Sequence, residues 1–151
     1  MAIYGAGSMW SDETGDHEKK GDFFKESIFK IGWEYDDAQD LCIALSELKV
    51  GDIIYLKANA PGNRSIRVKG IGIVRKTVFE LMTEHKTDLI HPCVKVQWIT
   101  KKDFTINIDE GDGKLTNIRP ATLYEESLPS VQTQIIDTLV KGLTMTKETP
   151  I

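Results

Sequence analysis

No stretch of the sequence approaches the run of about 18 apolar residues that a membrane-spanning helix needs. The opening Met1 to Trp10 segment joins no basic region to an apolar one, so a secretory signal is not expected and a cytoplasmic location follows by default. Cysteine is scarce: Cys42 and Cys93 stand far apart, which excludes a disulfide framework and suits a reducing compartment. The histidines, His17, His85 and His91, form no H-x-x-x-H or H-E-x-x-H pattern, and there is no C-x-x-C, so no metal spacing is present. Gly5-Ala6-Gly7 is followed by an acidic stretch rather than Gly-Lys-Ser/Thr, which argues against a phosphate loop. A G-x-S-x-G elbow is missing. Counted from Asn107, a calcium loop would need Gly and Glu where Asp112 and Ile118 stand. These absences leave no cofactor, no metal and no catalytic residue to assign.

What remains is a chain of 151 residues, 40% hydrophobic and 28% charged, a composition suited to one globular domain with its own core. The net charge of −4 is unevenly placed: the first third and the last are acidic, and residues 51–103 are basic. A local cationic face can contact phosphate even in an acidic chain, while Lys and Arg on the solvated faces of strands give the same count.

Read along the chain, Ala2-Ile3-Tyr4 is a strand ending in Gly5-Ala6-Gly7. Ser11 to Asp22 is polar without apolar period and reads as a mobile loop. A short helix follows from Phe23 with Asp22 as its cap. Asp36-Asp37 opens a second helix whose Leu41, Ala44, Leu45 and Leu48 share one face. Ile53 to Lys57 and Ser65 to Arg75 read as a hairpin around the turn Asn59-Ala60-Pro61-Gly62-Asn63, with Gly70 and Gly72 marking a bulge or sharp coil. Residues 77–92 fit no single pattern. Strands are expected at Cys93–Ile99, at Phe104–Ile108 and near Leu123-Tyr124, the second closed by the turn Asp109 to Gly113. A last helix is expected from Pro129 to Gly142, with Thr144 to Ile151 frayed. This order predicts an α+β fold, a small curled mixed β-barrel with flanking helices.

Trp10, Trp33 and Trp98 fall at strand ends and turns, where a side chain can project over the mouth of a small barrel. A flat ligand such as a nucleobase is held by stacking on such rings, and core packing is the plainer use of each.

The ordered combination of Gly5-Ala6-Gly7-Ser8-Met9-Trp10, Ile31-Gly32-Trp33, Gly51-Asp52-Ile53-Ile54-Tyr55, Gly70-Ile71-Gly72-Ile73-Val74, Val94-Lys95-Val96-Gln97-Trp98 and Arg119-Pro120-Ala121-Thr122-Leu123-Tyr124 resembles the EVE-like branch of the PUA superfamily, over residues 1–126. The helix at 127–143 is then an addition to the same domain and 144–151 a tail. The resemblance implies a PUA-like barrel without cofactor that binds nucleic acid and, like EVE and YTH domains, takes a methylated base into an aromatic pocket. It implies that Trp10 and Trp33 wall the pocket, with Trp98 a further candidate. Ser8 and Met9 would present backbone groups to the base edge, Asp40 would accept from an exocyclic amine, and Lys57, Arg64, Arg67 and Lys69 would meet phosphate. The implied partner is DNA or RNA carrying a modified base.

Because the acidic stretch Asp12 to Asp22 stands beside this pocket, a nucleotide-like small molecule or a protein partner is an alternative. The neighbouring ASCH type supplies another: a hydrolase of modified nucleosides, for which Lys57 with Glu34 is the available pair.

Overall fold

The computed structural model describes residues 1–58, 65–108 and 122–148, with side chains through Met145. In chain order the strands are β1 (Ile3–Gly7), β2 (Met9–Asp12), β3 (Gly15–Glu18), β4 (Ile28–Lys30), β5 (Ile53–Ala58), β6 (Ser65–Lys76), β7 (Cys93–Thr100), β8 (Phe104–Asn107) and β9 (Leu123–Glu125). The helices are α1 (Lys20–Glu26), α2 (Gln39–Glu47), α3 (Val78–Thr83) and α4 (Pro129–Glu148). The turn expected at 59–63, Arg64, the turn at 109–113 and the Arg119-Pro120-Ala121 stretch lie outside the described residues.

The longest strand organises the sheet. Of its two edges β6 gives one to β5, and along the other it pairs first with β8 over Ser65–Val68 and then with β7 from Ile71 onward. The path continues as β4-β7-β6-β5-β1-β9, all antiparallel except the parallel β1–β5 pair. The mixed α+β architecture with a curled sheet and flanking helices is therefore as expected.

The curl has a local cause. Register shifts fall between Leu56 and Lys57, between Ile71 and Gly72, and between Val74 and Lys76, so the break clusters around the two β6 glycines. Close approach requires glycine there. A Cβ on Gly72 would lie 2.4 Å from Val96 Cγ1 and 2.9 Å from Trp98 Cε3, and one on Gly70 would meet the Phe24 ring at 2.8 Å.

Two apolar layers form, one on each face. The first joins Phe23, Phe29, Leu45, Leu56, Val96 and Trp98 beneath α1 and α2. The second joins Tyr55, Val68, Ile71 and Ile106 to Val131, Ile135 and Leu139 of α4. A sheet buried on both faces explains why β6 loses its polar alternation: every residue from Val68 to Gly72 is buried.

Three segments differ from expectation. Ser11 to Glu18 belongs to a β2–β3 hairpin rather than a mobile loop. Its bonds are polar: Asp12 accepts from the Thr14 amide at 2.8 Å and hydroxyl at 2.6 Å, and Ser11 donates to Asp16 at 2.5 Å. Gly15 takes a φ of +120° at the turn. Hydrophobic periodicity has no access to such a hairpin. The helix after it starts at Lys20, so Asp22 lies in its first turn instead of capping it.

Residues 77–92 contain α3, opened by a capping box in which the Glu80 amide donates to Thr77 Oγ1 at 3.2 Å and the Thr77 amide to Glu80 Oε1 at 3.3 Å. The last helix runs past Gly142 to Glu148. Gly142 is not a stop signal but a contact point: a Cβ there would meet Ile99 Cγ2 at 2.9 Å, so glycine lets α4 lie close on β7.

Candidate functional site

The three tryptophans have different fates. Trp98 sits in the core at 7% exposure, its ring edge-on to Phe24 at 5.2 Å. Its indole N–H donates to the carbonyls of Phe23 at 3.0 Å and Ile28 at 3.2 Å. Both the apolar body and the polar handle of Trp98 are thus used internally. That corrects its place among ligand-binding candidates, because no face of the ring is left for a base.

Trp33 is 50% exposed. It stands in a bend just past β4, between Ile31, which is buried, and the turn leading to α2. Its neighbour Gly32 carries the ring of Trp10: a Cβ there would lie 2.9 Å from Trp10 Cγ and 3.0 Å from Cδ2. Trp10 also meets Phe23 edge-on at 6.1 Å. Its buried Nε1–H has no acceptor among the described residues, and a buried unpaired donor costs roughly 1–3 kcal/mol. Gly32 thus brings the two indoles expected to wall a pocket to the same turn of chain.

Two cations gather at the same ring. The ammonium groups of Lys19 and Lys30 lie 5.3 Å and 6.0 Å from the Trp10 ring centre. Nothing in the sequence pattern singled out either lysine, because they become neighbours only when β3, β4 and the Trp10 ring come together.

Ser8 and Lys69 meet, though not as expected. Ser8 is fully buried, and its hydroxyl lies 2.9 Å from Glu18 Oε2 and 2.9 Å from the Lys69 ammonium. Lys69 also pairs with Glu18 Oε1 at 3.0 Å. The main-chain carbonyl of Ser8 is likewise taken, by the Lys19 amide at 2.8 Å. Lys69 had been expected to meet phosphate. Instead it is 6% exposed, because its ammonium is held by Ser8 before the hairpin and by Glu18 at the hairpin's end rather than by solvent. Three of the hairpin's acids are engaged locally, Glu18 by Lys69, Asp16 by Ser11, and Asp12 by Thr14 and His17, with the Asp12 carboxyl held down at about 2 chiefly by the Thr14 hydroxyl bond.

The remaining expected residues scatter. Lys57 is 6% exposed, with its ammonium 5.5 Å from the Tyr124 ring centre, so it too is buried rather than presented to a phosphate backbone. It borders a polar cluster that sequence reading passed over. Tyr55 donates to Glu126 at 2.5 Å and shares a 2.6 Å hydrogen bond with Tyr124, whose ring lies against Gly5. Burial, then the neighbouring Tyr124 and Glu126, push the Tyr55 hydroxyl far above the usual phenol range. Arg67 is exposed and clamped on Asp103, which also receives Lys20 at 3.3 Å. Asp40 is exposed in the first turn of α2, Met9 is 52% exposed, and Glu34 lies 3.6 Å from His91. Lys57 therefore neighbours Tyr124 while Glu34 neighbours His91, and Arg64 lies outside the described residues. Among the described residues no cluster of His, Cys, Asp and Glu could hold a metal.

Fold and site define an α+β protein with a curled mixed sheet and an aromatic turn beside a polar hairpin. Among solved structures the chain is similar to a hypothetical protein from Leishmania major, with a TM-score of 0.54 and 13% identity over 93% of this chain and 96% of that one. It is also similar to the crystal structure of the Mmi1 YTH domain, with a TM-score of 0.49 and 13% identity over 95% of this chain and 92% of that one. No family model and no curated protein matches the sequence.

Proposed function

We propose that the protein is a non-enzymatic module that binds nucleic acid through a modified, methylated base lodged against Trp33 and Trp10. The observation that carries this reading is the pair of indoles at Gly32, one half-exposed and the other holding a buried N–H with no acceptor among the described residues. Withdrawing a base from its stack costs a few kcal/mol, and aromatic stacking returns roughly 1–3 kcal/mol per base. A base carbonyl or ring nitrogen reaching Trp10 Nε1 would supply the acceptor that the described residues do not. Met9 and Asp40, both exposed, are the polar-edge candidates carried from the sequence resemblance.

The test is a binding panel of methylated and unmodified oligonucleotides, DNA and RNA, against wild type, Trp33→Ala and Trp10→Ala. Preference for one methylated base, lost in both variants, supports the reading. Equal binding by the variants and the wild type overturns it.

A further inference from the structure

The lysines and arginines that sequence reading assigned to phosphate are buried, clamped or outside the described residues, so a base bound at Trp33 needs its phosphate contacts elsewhere. A cleft of about 420 Å³, within the roughly 300–1,000 Å³ typical of ligand sites, opens between β4 and the segment leading into β7 and shares Lys30 with the surroundings of Trp10. Lys30, Lys86, Thr87 and His91 line it. Its position follows from the pairing of Lys30 with Cys93: the chain beyond each, Ile31-to-Glu34 and His91, runs side by side, and the His91–Glu34 contact of 3.6 Å closes that end beside Trp33.

Lys30 belongs to both places, bordering the cleft with one part of its side chain and holding its ammonium 6.0 Å from the Trp10 ring centre, where Lys19 also arrives. Lys19 has an acid only at 4.0 Å, Asp22, and Lys86 pairs at 3.5 Å with Glu84, which is also engaged by Lys76. Like charges collected on one ring with so little compensation favour an anion between them. The cleft also holds Glu26 and Asp88. Asp88 accepts from the Ile90 amide at 2.9 Å and the His91 amide at 2.8 Å but keeps its charge, so Glu26 and Asp88 both oppose an anion there, and Glu26 is the one whose removal leaves those amide bonds intact.

We propose that this cleft is the phosphate channel of the base site: Lys19 and Lys30 take the phosphate adjoining the bound nucleotide, and Lys86 takes the next along a single strand. This rests on the base reading above, and an abasic single-stranded oligonucleotide, which has phosphates and no bases, separates the two. Its binding is measured by fluorescence anisotropy across a salt series for wild type, Lys30→Gln/Lys86→Gln and Trp33→Ala, beside binding of the free methylated nucleoside.

The channel predicts that the double lysine variant weakens oligonucleotide binding roughly tenfold at low salt and flattens the salt slope by about 0.7 per lysine, and that Lys86→Gln alone, measured beside it, flattens the slope by about 0.7 with nucleoside binding unchanged. Glu26→Gln is expected to tighten the oligonucleotide. Unchanged affinity and slope in the double variant overturn the channel while leaving the base site standing. Abasic binding that depends on Lys30 and Lys86, with no nucleoside binding to wild type, keeps the channel and overturns the base reading.

Discussion

Trp98 and the Trp10–Trp33 pair are chemically the same residue placed in opposite circumstances. Around Trp98 every demand is met: carbonyls of Phe23 and Ile28 accept its N–H, Phe24 meets its edge, and Gly72 makes room for its six-membered ring. Around Trp10 and Trp33 demands are left open, a buried N–H with no acceptor among the described residues and an indole half in water. Large apolar residues and buried polar atoms left in that condition mark binding surfaces more often than packing. The difference separates stability from recognition within one residue type.

That contrast is sharpest in Trp98→Ala, which should cost about 3–5 kcal/mol, read as a fall in the denaturant midpoint. Trp33→Ala should stay within about 0.5 kcal/mol of wild type while abolishing base-dependent binding. If the two variants unfold alike, the division is wrong. Next in size, Lys69→Met leaves Glu18 and Ser8 without their cation. A loss of about 1–3 kcal/mol is expected, with faster amide exchange confined to Met9–Glu18, because Glu18 keeps partial access to water. A smaller effect is expected from Gly32→Ala, whose methyl group displaces the Trp10 ring: affinity for a methylated oligonucleotide should drop several-fold, while the melting temperature moves little because Gly32 itself is exposed. Thr77→Ala, far from both, should cost about 1 kcal/mol through loss of the α3 cap and leave binding untouched.

The smallest effect is one of pH. The Asp12 carboxyl is lowered from 3.8 to about 2, so the unfolded chain binds its proton more readily than the folded one. The stabilisation of the hairpin turn is present above about pH 4 and lost as pH falls toward 2. Amide shifts of Thr14 and His17 should report that titration, and Asp12→Asn should erase it.

Much of the sheet was legible because apolar alternation and β-branched runs identify β5, β6 and β7 directly, and the Gly70–Gly72 pair marks where the sheet bends. The β2–β3 hairpin was not legible: its pairs are Ser11 with Asp16 and Asp12 with Thr14 and His17, polar bonds that leave no hydrophobic period. Gly142 misled for a related reason, since glycine serves a helix end and a close helix–strand contact equally well. For the candidate site, Trp10 and Trp33 were singled out from their places at element ends. The cations around them, Lys19 and Lys30, were not, and strand pattern does not show that Lys69 meets Glu18 and Lys57 the Tyr124 ring.

The sequence alone determined the α+β class, the bend in β6, and the amphipathic faces of α2 and α4, because these depend on residues within a few positions of one another. The tertiary structure decided which tryptophan is core and which is surface, and which lysines are spent. Those outcomes depend on what each side chain meets, and the groups it meets lie far away in sequence: the Phe23 carbonyl at Trp98, Glu18 at Lys69, and Gly32 against Trp10.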